Sequence, residues 1–158
     1  MFEVKPIDIK TRKDVINLIN EQWGGPVIVT KGIIHYAGYL PGFVAVEDDK
    51  LKGLITYNIQ NEDCEIVSLD SLIEKQGIGS MLIDKVIEEA KAHKCKRVWL
   101  ITTNDNTHAI RFYQRRGFNF TGLYINAIQE SRKIKSQIPL LGMDDIPIMH
   151  EIEFEKNL

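Results

Sequence analysis

Two glycines, Gly77 and Gly79, stand where a polar turn meets an apolar run in residues 74–83, EKQGIGSMLI. A glycine turn that opens a helix leaves several main-chain N–H groups without an acceptor inside the helix. These groups form the positive end of the helix dipole and are suited to holding a phosphate. The turn is therefore either an ordinary helix start or a phosphate cradle. Neither the Gly-Lys-Ser/Thr ending of a P-loop nor the third glycine of the dinucleotide fingerprint is present.

A second pair of residues, Asn106 and Tyr113, could contact a ligand near the same helix. They are seven positions apart, which places them two turns apart on one face of a helix. That helix would follow a strand at residues 97–103, and ligands in open α/β arrangements bind at the carboxyl edge of such strands. This position favours the phosphate cradle over the ordinary helix start.

The elements that must position these residues follow from the spacing of apolar side chains. A helix is predicted at residues 80–93, between strands at 64–72 and 97–103. A strand, helix and strand of these lengths form a crossover, so the two strands should run parallel. Asn106 or Thr107 should cap the next helix, which should end at 115–117. The apolar stripe of the first helix consists of Leu82, Ile83, Val86, Ile87 and Ala90.

The remaining segments predict an α/β fold with a mixed, mostly antiparallel sheet, one parallel crossover and helices on both faces. Thr11 should cap a first helix that residues 23–26 end, and the segment through Tyr39 is expected to be irregular. Residues 48–50 should form a hairpin loop. Further strands are predicted at residues 2–7, 42–47, 51–59, 118–123 and 146–154.

Two motifs resemble those of a known family. Residues 74–79, EKQGIG, resemble a pyrophosphate loop of pattern Gln/Arg-x-x-Gly-x-Gly/Ala, with Glu74 as a departure at the first position. Residues 106–118, NTHAIRFYQRRGF, match Asn-x-x-Ala-x-x-Phe-Tyr-x-x-x-Gly-Phe. On these motifs the chain is identified as a member of the GNAT superfamily, the acyl-CoA-dependent N-acyltransferases. The order of its elements is similar to the fold of that family.

The resemblance implies acetyl-CoA as the cosubstrate and no metal. It implies that the main chain of Leu69 and Ser71 bonds the pantetheine arm, and that Asn106 either bonds the same arm or only holds the helix start. Because the chief donors of the loop are main-chain amides, the departure at Glu74 weakens the match at that position alone. The pyrophosphate would then be bound by Gln76, Gly77, Ile78, Gly79 and Ser80.

The resemblance also implies catalytic roles. Tyr113 matches the position that protonates the departing thiolate, and a main-chain N–H near Leu69 would donate to the carbonyl oxygen. Glu65 matches the general base of some family members, although a solvated carboxylate at the end of a strand is an alternative. By strand alternation Glu65 should share a face with Val67 and Leu69. Other bases considered are Glu47, His35 and His150, or a water relay.

The acceptor is expected to be a primary amine of a small molecule or a peptide. Residues 23–39, with Trp23, Tyr36 and Tyr39, should overhang the acceptor side of the cleft. The acidic pair in residues 143–147 is an alternative wall for a cationic amine. The contrasting function is a non-catalytic module that binds acyl-CoA as a sensor.

Composition limits the other partners. The 158 residues contain 20 Lys and Arg against 22 Asp and Glu, which gives no field that would attract nucleic acid or an anionic membrane. No apolar run has the length of a bilayer span, so a cytoplasmic protein is expected. The length fits one domain, and the resemblance implies that residues 1–158 form a single N-acetyltransferase domain. Cys64 and Cys95 have no metal-ligand spacing and are expected to be buried. The resemblance is compatible with a homodimer.

Overall fold

A computed structural model describes all 158 residues of the chain. Its main sheet has seven strands. A separate two-stranded hairpin and four α-helices accompany it. The helices are α1 (Arg12–Trp23), α2 (Ile78–Ala92), α3 (Thr107–Arg115) and α4 (Ala127–Ile134). The strands are β1 (Glu3–Pro6), β2 (Val27–Thr30), β3 (Ile33–Tyr36), β4 (Gly42–Glu47), β5 (Lys50–Gln60), β6 (Asp63–Ser71), β7 (Arg97–Thr103), β8 (Asn119–Tyr124) and β9 (Glu151–Asn157).

The strand order of the sheet is β1-β4-β5-β6-β7-β9-β8. Strands β6 and β7 are the only parallel neighbours, and the chain crosses between them through α2. The predicted mixed, mostly antiparallel sheet with one parallel crossover is therefore confirmed. None of the helices is long and apolar enough to span a bilayer.

The parallel pair opens into a gap. Strands β6 and β7 are paired from Asp63 with Arg97 to Ile66 with Leu100, and both strands then continue without pairing. The register of β6 against β5 shifts at the same point, because Thr56 pairs with Ser68 while Tyr57 pairs with Ile66. Val67 is the extra residue of this bulge. Since bulges bend the strand that carries them, the shift explains why β6 leaves β7 here.

Two apolar clusters hold the helices on opposite faces of the sheet, as predicted. The cluster under α2 includes Leu82 and Val86, both fully buried, and α3 packs against it. The cluster under α1 includes Val15 and Ile19. Because truncating a buried leucine costs about 2–5 kcal/mol, each cluster fixes its helix on the sheet. Cys64 and Cys95 are free and buried, as the sequence predicts.

Helix ends follow the predicted signals, with one exception. Asn106 caps α3 through a hydrogen bond from Ala109 N–H, and Gly117 has the positive φ expected just beyond the end of that helix. Thr11 does precede α1, but its hydroxyl gives no cap to the helix and instead bonds with Asp8. The α1 helix ends at Trp23 as predicted.

The predicted irregular segment before Tyr39 is wrong. Residues 27–36 form the hairpin of β2 and β3, which Lys31 and Gly32 connect with positive φ angles of 49° and 75°. These angles are those of a two-residue turn of type I′. The predicted last strand also begins too early, since β9 starts at Glu151, and helix α4 was not predicted.

Candidate functional site

The start of α2 presents unpaired main-chain donors. Gly77 occupies the N-cap position and offers no side-chain cap, and Met81 N–H is the first amide that bonds back to it, at 3.1 Å. The N–H groups of residues 77–80 donate to no protein acceptor. Consecutive free amides at a helix N-terminus form a positive site for an anion. This geometry fits the predicted phosphate cradle.

The two glycines of the turn serve different purposes. A Cβ atom on Gly77 would meet nothing within 4 Å, but its φ of 74° is strained for other residues. A Cβ atom on Gly79 would lie 3.2 Å from Cζ of Phe112, so this glycine is required by the packing of α2 against α3. Gln76 and Glu74 are exposed beside the turn, and Ser80 is half-buried.

The gap between β6 and β7 also presents main-chain groups. Leu72 N–H bonds to Lys52 O at 2.9 Å, which fixes the alternation of the ladder between β5 and β6. Antiparallel pairs alternate between bonded and non-bonded residues, so the main chains of Leu69 and Ser71 face away from β5 and into the gap. These are the two residues predicted to bond the pantetheine arm.

The prediction that Leu69 shares a face of the strand with Glu65 and Val67 is wrong. Val67 packs in the cluster under α1, on the side of Glu65, whereas Leu69 packs against the cluster under α2. The bulge at Val67 adds one residue to β6, and one added residue moves every later side chain to the other face.

Tyr113 lies in an aromatic cluster beneath α3. Its side chain is 7% exposed, and its ring centroid is 5.4 Å from Phe112, 5.5 Å from Phe118 and 6.2 Å from Phe154. Burial, with a smaller contribution from the charge of Asp70, raises the pKa of the Tyr113 hydroxyl. The hydroxyl therefore keeps its proton at neutral pH and can donate it or a hydrogen bond.

Glu65 is buried in the sheet, so the alternative of a solvated carboxylate is wrong. Thr30 Oγ1 donates to Glu65 Oε2 at 2.8 Å, and His35 Nε2 lies 2.8 Å from the same hydroxyl oxygen. A hydroxyl has one proton to donate, so His35 must be the donor to Thr30. Burial lowers the pKa of His35. Burial raises the pKa of Glu65 to about 7, although the Thr30 bond and Lys31 oppose this rise.

A cavity of about 390 Å³ opens beside the gap, on the face of the sheet that carries α1 and the hairpin. Val67 and Ile101 line it where β6 and β7 separate, and Asn106 lines it at the start of α3. Thr30 also lines the cavity, whereas Glu65 lies behind Thr30 and does not. The volume is within the range of sites for small molecules. Other polar residues of its wall are Gln22, Thr102, Thr103, Lys135, Gln137 and Glu151.

A family model described as Acetyltransferase (GNAT) family matches residues 13–118. This match spans more than half of the chain and includes both motifs, the gap and the whole of α3. The chain belongs to the GNAT acetyltransferase family.

Three known proteins show how far this GNAT chain resembles others in sequence and in structure. The Bacillus subtilis protein YxbD is 42% identical over 148 residues, which are 92% of this chain and 93% of YxbD. The B. subtilis spermine/spermidine N(1)-acetyltransferase is 33% identical over 95 residues, or 56% of this chain and 59% of the relative. A GNAT acetyltransferase from Elizabethkingia anophelis, crystallised with acetyl-CoA, superposes with a TM-score of 0.73 at 19% identity and covers 99% of this chain and 98% of its own.

The E. anophelis protein binds acetyl-CoA. Two groups of main-chain donors and acceptors in this GNAT chain can be compared with the parts of that molecule. The free amides of residues 77–80 fit its pyrophosphate. The main-chain edge of Leu69 and Ser71 fits an amide-containing arm such as pantetheine. The chemistry of these donors therefore suits coenzyme A.

Of the other residues considered as bases or for the acceptor side, most lie away from the cavity. Glu47 accepts the amino group of Met1 at 2.6 Å, and Nδ1 of His150 accepts Asn126 N–H. Tyr36 and Tyr39 are more than half exposed and do not line the cavity, and neither do the acidic residues Asp144 and Asp145. Trp23 does line the cavity, and its Nε1–H donates to Asp70 at 2.9 Å.

Sequence reasoning missed Thr30, Lys135 and Glu151, which all contribute to the cavity wall. A signal for Thr30 was present, because residues 27–36, VIVTKGIIHY, are β-rich on both sides of a Lys-Gly pair. A signal for Lys135 was also present, because it follows Ile128 and Ser131 at intervals of three and four residues. This spacing places the three residues on one face of a helix. Nothing in the sequence distinguishes Glu151 from its neighbour Glu153.

Proposed function

We propose that this protein is an N-acetyltransferase that moves an acetyl group from acetyl-CoA to a primary amine of a small molecule or a peptide. The observation that carries the proposal is the gap between β6 and β7. The free amides of residues 77–80 follow the end of β6, and the cavity lies on one face of the gap, at Val67 and Ile101. A donor and an acceptor can be held at the gap together. This arrangement favours direct attack in a ternary complex.

Acetyl-CoA supplies the activated thioester, and the chain supplies the groups that hold and orient it. The amides at the start of α2 bind the pyrophosphate, and the free main-chain edge of β6 bonds the pantetheine arm. The Leu69 N–H is a donor for the carbonyl oxygen of the thioester. We assign donor binding to Leu69, Ser71, Gln76, Gly77, Ile78, Gly79, Ser80 and Asn106.

Tyr113 is the proposed general acid. Its hydroxyl is protonated at neutral pH, since a phenol has an ordinary pKa near 10 and burial raises this pKa further. A thiol has an ordinary pKa near 8.5, so a thiolate leaving group is well stabilised by an O–H donor. The surrounding rings of Phe112, Phe118 and Phe154 hold the phenol in a fixed position.

Glu65 is the proposed general base, acting through Thr30. An alkylammonium group has a pKa near 10 and must lose a proton before it attacks. The amine can pass that proton to Thr30 Oγ1 while the hydroxyl proton moves to Glu65 Oε2 along the 2.8 Å bond. A carboxylate with a pKa of about 7 is well matched to proton transfer at neutral pH.

Two further observations support catalysis over a non-catalytic acyl-CoA sensor. The cavity gives an acceptor room beside the gap, which a sensor would not need. The relative named as a spermine/spermidine N(1)-acetyltransferase acts on an amine by its name, and it matches 56% of this chain. We extend the proposal to one acetyltransferase domain over residues 1–158.

Thiol release from acetyl-CoA tests the proposal directly. The protein should release free coenzyme A when primary amines are supplied as a panel, and mass spectrometry should find one acetyl group on the accepted amine. Calorimetry with acetyl-CoA alone measures binding without an acceptor. Binding of acetyl-CoA without thiol release for any amine would favour the non-catalytic sensor over the enzyme. Absence of binding at millimolar acetyl-CoA would contradict both functions.

A further inference from the structure

Glu151 is a buried carboxylate that forms no salt bridge. It is 1% exposed, lines the cavity and accepts one donor, Lys31 N–H, at 3.2 and 3.3 Å from its two oxygens. Burial raises its pKa, although the Lys31 N–H bond and the charge of Lys31 oppose this rise. Its neighbour Glu153 is different, because Lys31 Nζ at 3.1 Å and the Tyr124 hydroxyl at 2.9 Å satisfy it. A buried charge without a counter-ion is costly, so Glu151 is poised to accept a cation.

Lys135 is the opposite case in the same cavity. Its side chain is 7% exposed, and its ammonium donates to two carbonyl oxygens, those of Trp23 and Val27. Lys135 forms no salt bridge, and burial lowers its pKa with no contribution from a nearby charge. An ammonium has three protons to donate, so one remains for a ligand. Lys135 is therefore poised to accept an anion.

The free edge of β2 lies between the two charged groups, Lys135 and Glu151, and each of them bonds to its main chain. Thr30 and Ile33 flank the two-residue turn and form a bonded pair, so the main chains of Val27, Val29 and Lys31 face away from β3. Lys135 donates a hydrogen bond to the Val27 carbonyl, and Glu151 accepts a hydrogen bond from the Lys31 N–H. Three residues separate these points, which is roughly 10 Å along a strand.

Val29 lies between the charges and lines the cavity, and its N–H and C=O bond to no protein group. Its carbonyl is on the Glu151 side and its N–H is on the Lys135 side, because the chain runs from Val27 to Lys31. The Glu151 half of the edge therefore accepts hydrogen bonds, and the Lys135 half donates them. The two Val29 groups are separated along the strand by less than the rise of one residue, which is about 3.3 Å.

We propose that the acceptor in this cavity is a free α-amino acid, held along the edge of β2 between Glu151 and Lys135. Its ammonium group donates to Glu151 and the Val29 carbonyl, and its carboxylate accepts from Val29 N–H and Lys135. This inference rests on the proposed acetyltransferase function for the chemistry, but the binding site stands on its own contacts.

Other amines fit the cavity less well. A polyamine would bring a second ammonium against Lys135, where like charges repel in a buried setting. A peptide amino terminus has a neutral amide in place of the carboxylate and would leave Lys135 without a counter-ion. A zwitterion supplies both missing partners at once.

Ligand-detected NMR on the wild-type protein with coenzyme A present tests the site. The probes are the L-amino acids and the primary amines that result from their decarboxylation. At least one amino acid should bind, and its decarboxylated partner should bind about tenfold more weakly or worse. Equal binding of the two, or binding of polyamines but of no amino acid, would overturn the inference.

Two variants locate the binding. Glu151→Gln and Lys135→Met should each weaken the amino acid about tenfold while the affinity for acetyl-CoA is unchanged. The matched controls on exposed positions of α4 are Glu130→Gln and Lys133→Met, which should have no effect. Unchanged amino-acid affinity in folded Glu151→Gln would also overturn the inference, even if Lys135→Met failed to fold. Amino-acid binding without thiol release would contradict the proposed function and leave the zwitterion site intact.

Discussion

The Thr30 hydroxyl donates a 2.8 Å hydrogen bond to Glu65, and this bond links the β2–β3 hairpin to the central sheet. Thr30 lines the cavity and Glu65 lies behind it. The carboxylate that suits a base is thus one hydroxyl away from an acceptor in the cavity. His35 donates to the same hydroxyl oxygen and holds the Thr30 proton toward Glu65.

Thr30→Val should lower kcat/KM for the acceptor by about 10–100-fold, because it removes the hydroxyl that connects an amine to Glu65. Thr30→Ser keeps the hydroxyl and should retain most of the activity. Thr56→Val is a matched control, since it also removes a buried hydroxyl bond, to Ser68 at 2.6 Å. Steady-state kinetics of the three variants checks the order. Equal kcat/KM for Thr30→Val and the wild type would remove Thr30 from the proton path.

Glu65 should make both activity and stability depend on pH. Its pKa is raised from 4.5 to about 7, so folded Glu65 holds a proton where the unfolded group has lost it. Stability from this group is fully present below about pH 4.5 and is lost as the pH rises through about 7. Activity should follow the opposite trend, because the base must be ionised, and kcat/KM should rise with pH up to about 7.

Glu65→Gln cannot ionise and should therefore lack this loss of stability. The free energy of unfolding of the variant relative to the wild type should increase by on the order of 3 kcal/mol between about pH 4 and about pH 8. Urea denaturation at several pH values measures the difference. The control Glu130→Gln, at an exposed position, should show a constant difference. A constant difference for Glu65→Gln as well would mean that Glu65 ionises normally in the folded protein.

Much of the fold could be predicted because its signals are local. The crossover, for example, follows from one apolar stripe between two β-rich runs, and the structure places strand β7 at residues 97–103 as expected. The free amides of residues 77–80 could be predicted for the same reason, since such groups at a helix start depend on the turn alone. The shared face of Asn106, the N-cap of α3, and Tyr113, within that helix, follows from helical spacing.

The parts that were missed depend on contacts between distant segments. The bulge at Val67 is a mismatch between two strands, so no pattern within β6 shows that Leu69 changes face. The pairing of Thr30 with Glu65 joins residues 35 positions apart. Lys135 is buried through bonds to Trp23 and Val27, more than 100 positions away. Local periodicity carries no information about such pairs.

Ser80→Glu should weaken acetyl-CoA binding about tenfold or more, because it adds a carboxylate beside the free amides without changing the glycines of the turn. Gly79→Glu is a less specific change, since its side chain would also collide with Phe112. Gln60→Glu adds the same charge at an exposed position on β5 and serves as the control. Calorimetry with acetyl-CoA should show the loss only for Ser80→Glu. Equal affinity in both variants would place the pyrophosphate away from this turn.

Tyr113→Phe should reduce kcat by about 100-fold or more while the affinity for acetyl-CoA changes little, because the ring still fills its aromatic cluster and only the acid is lost. Tyr57→Phe is the matched control: Tyr57 is also a buried tyrosine of the cluster under α2, with its pKa raised to about 12 by burial. Tyr57 packs on Phe43, away from α3, so its hydroxyl should not affect turnover. Single-turnover kinetics with a verified acceptor would separate chemistry from product release. A Tyr113→Phe variant that transfers acetyl groups at the wild-type rate would show that the thiolate leaves without this hydroxyl, and the acid would have to be sought among other groups at the gap.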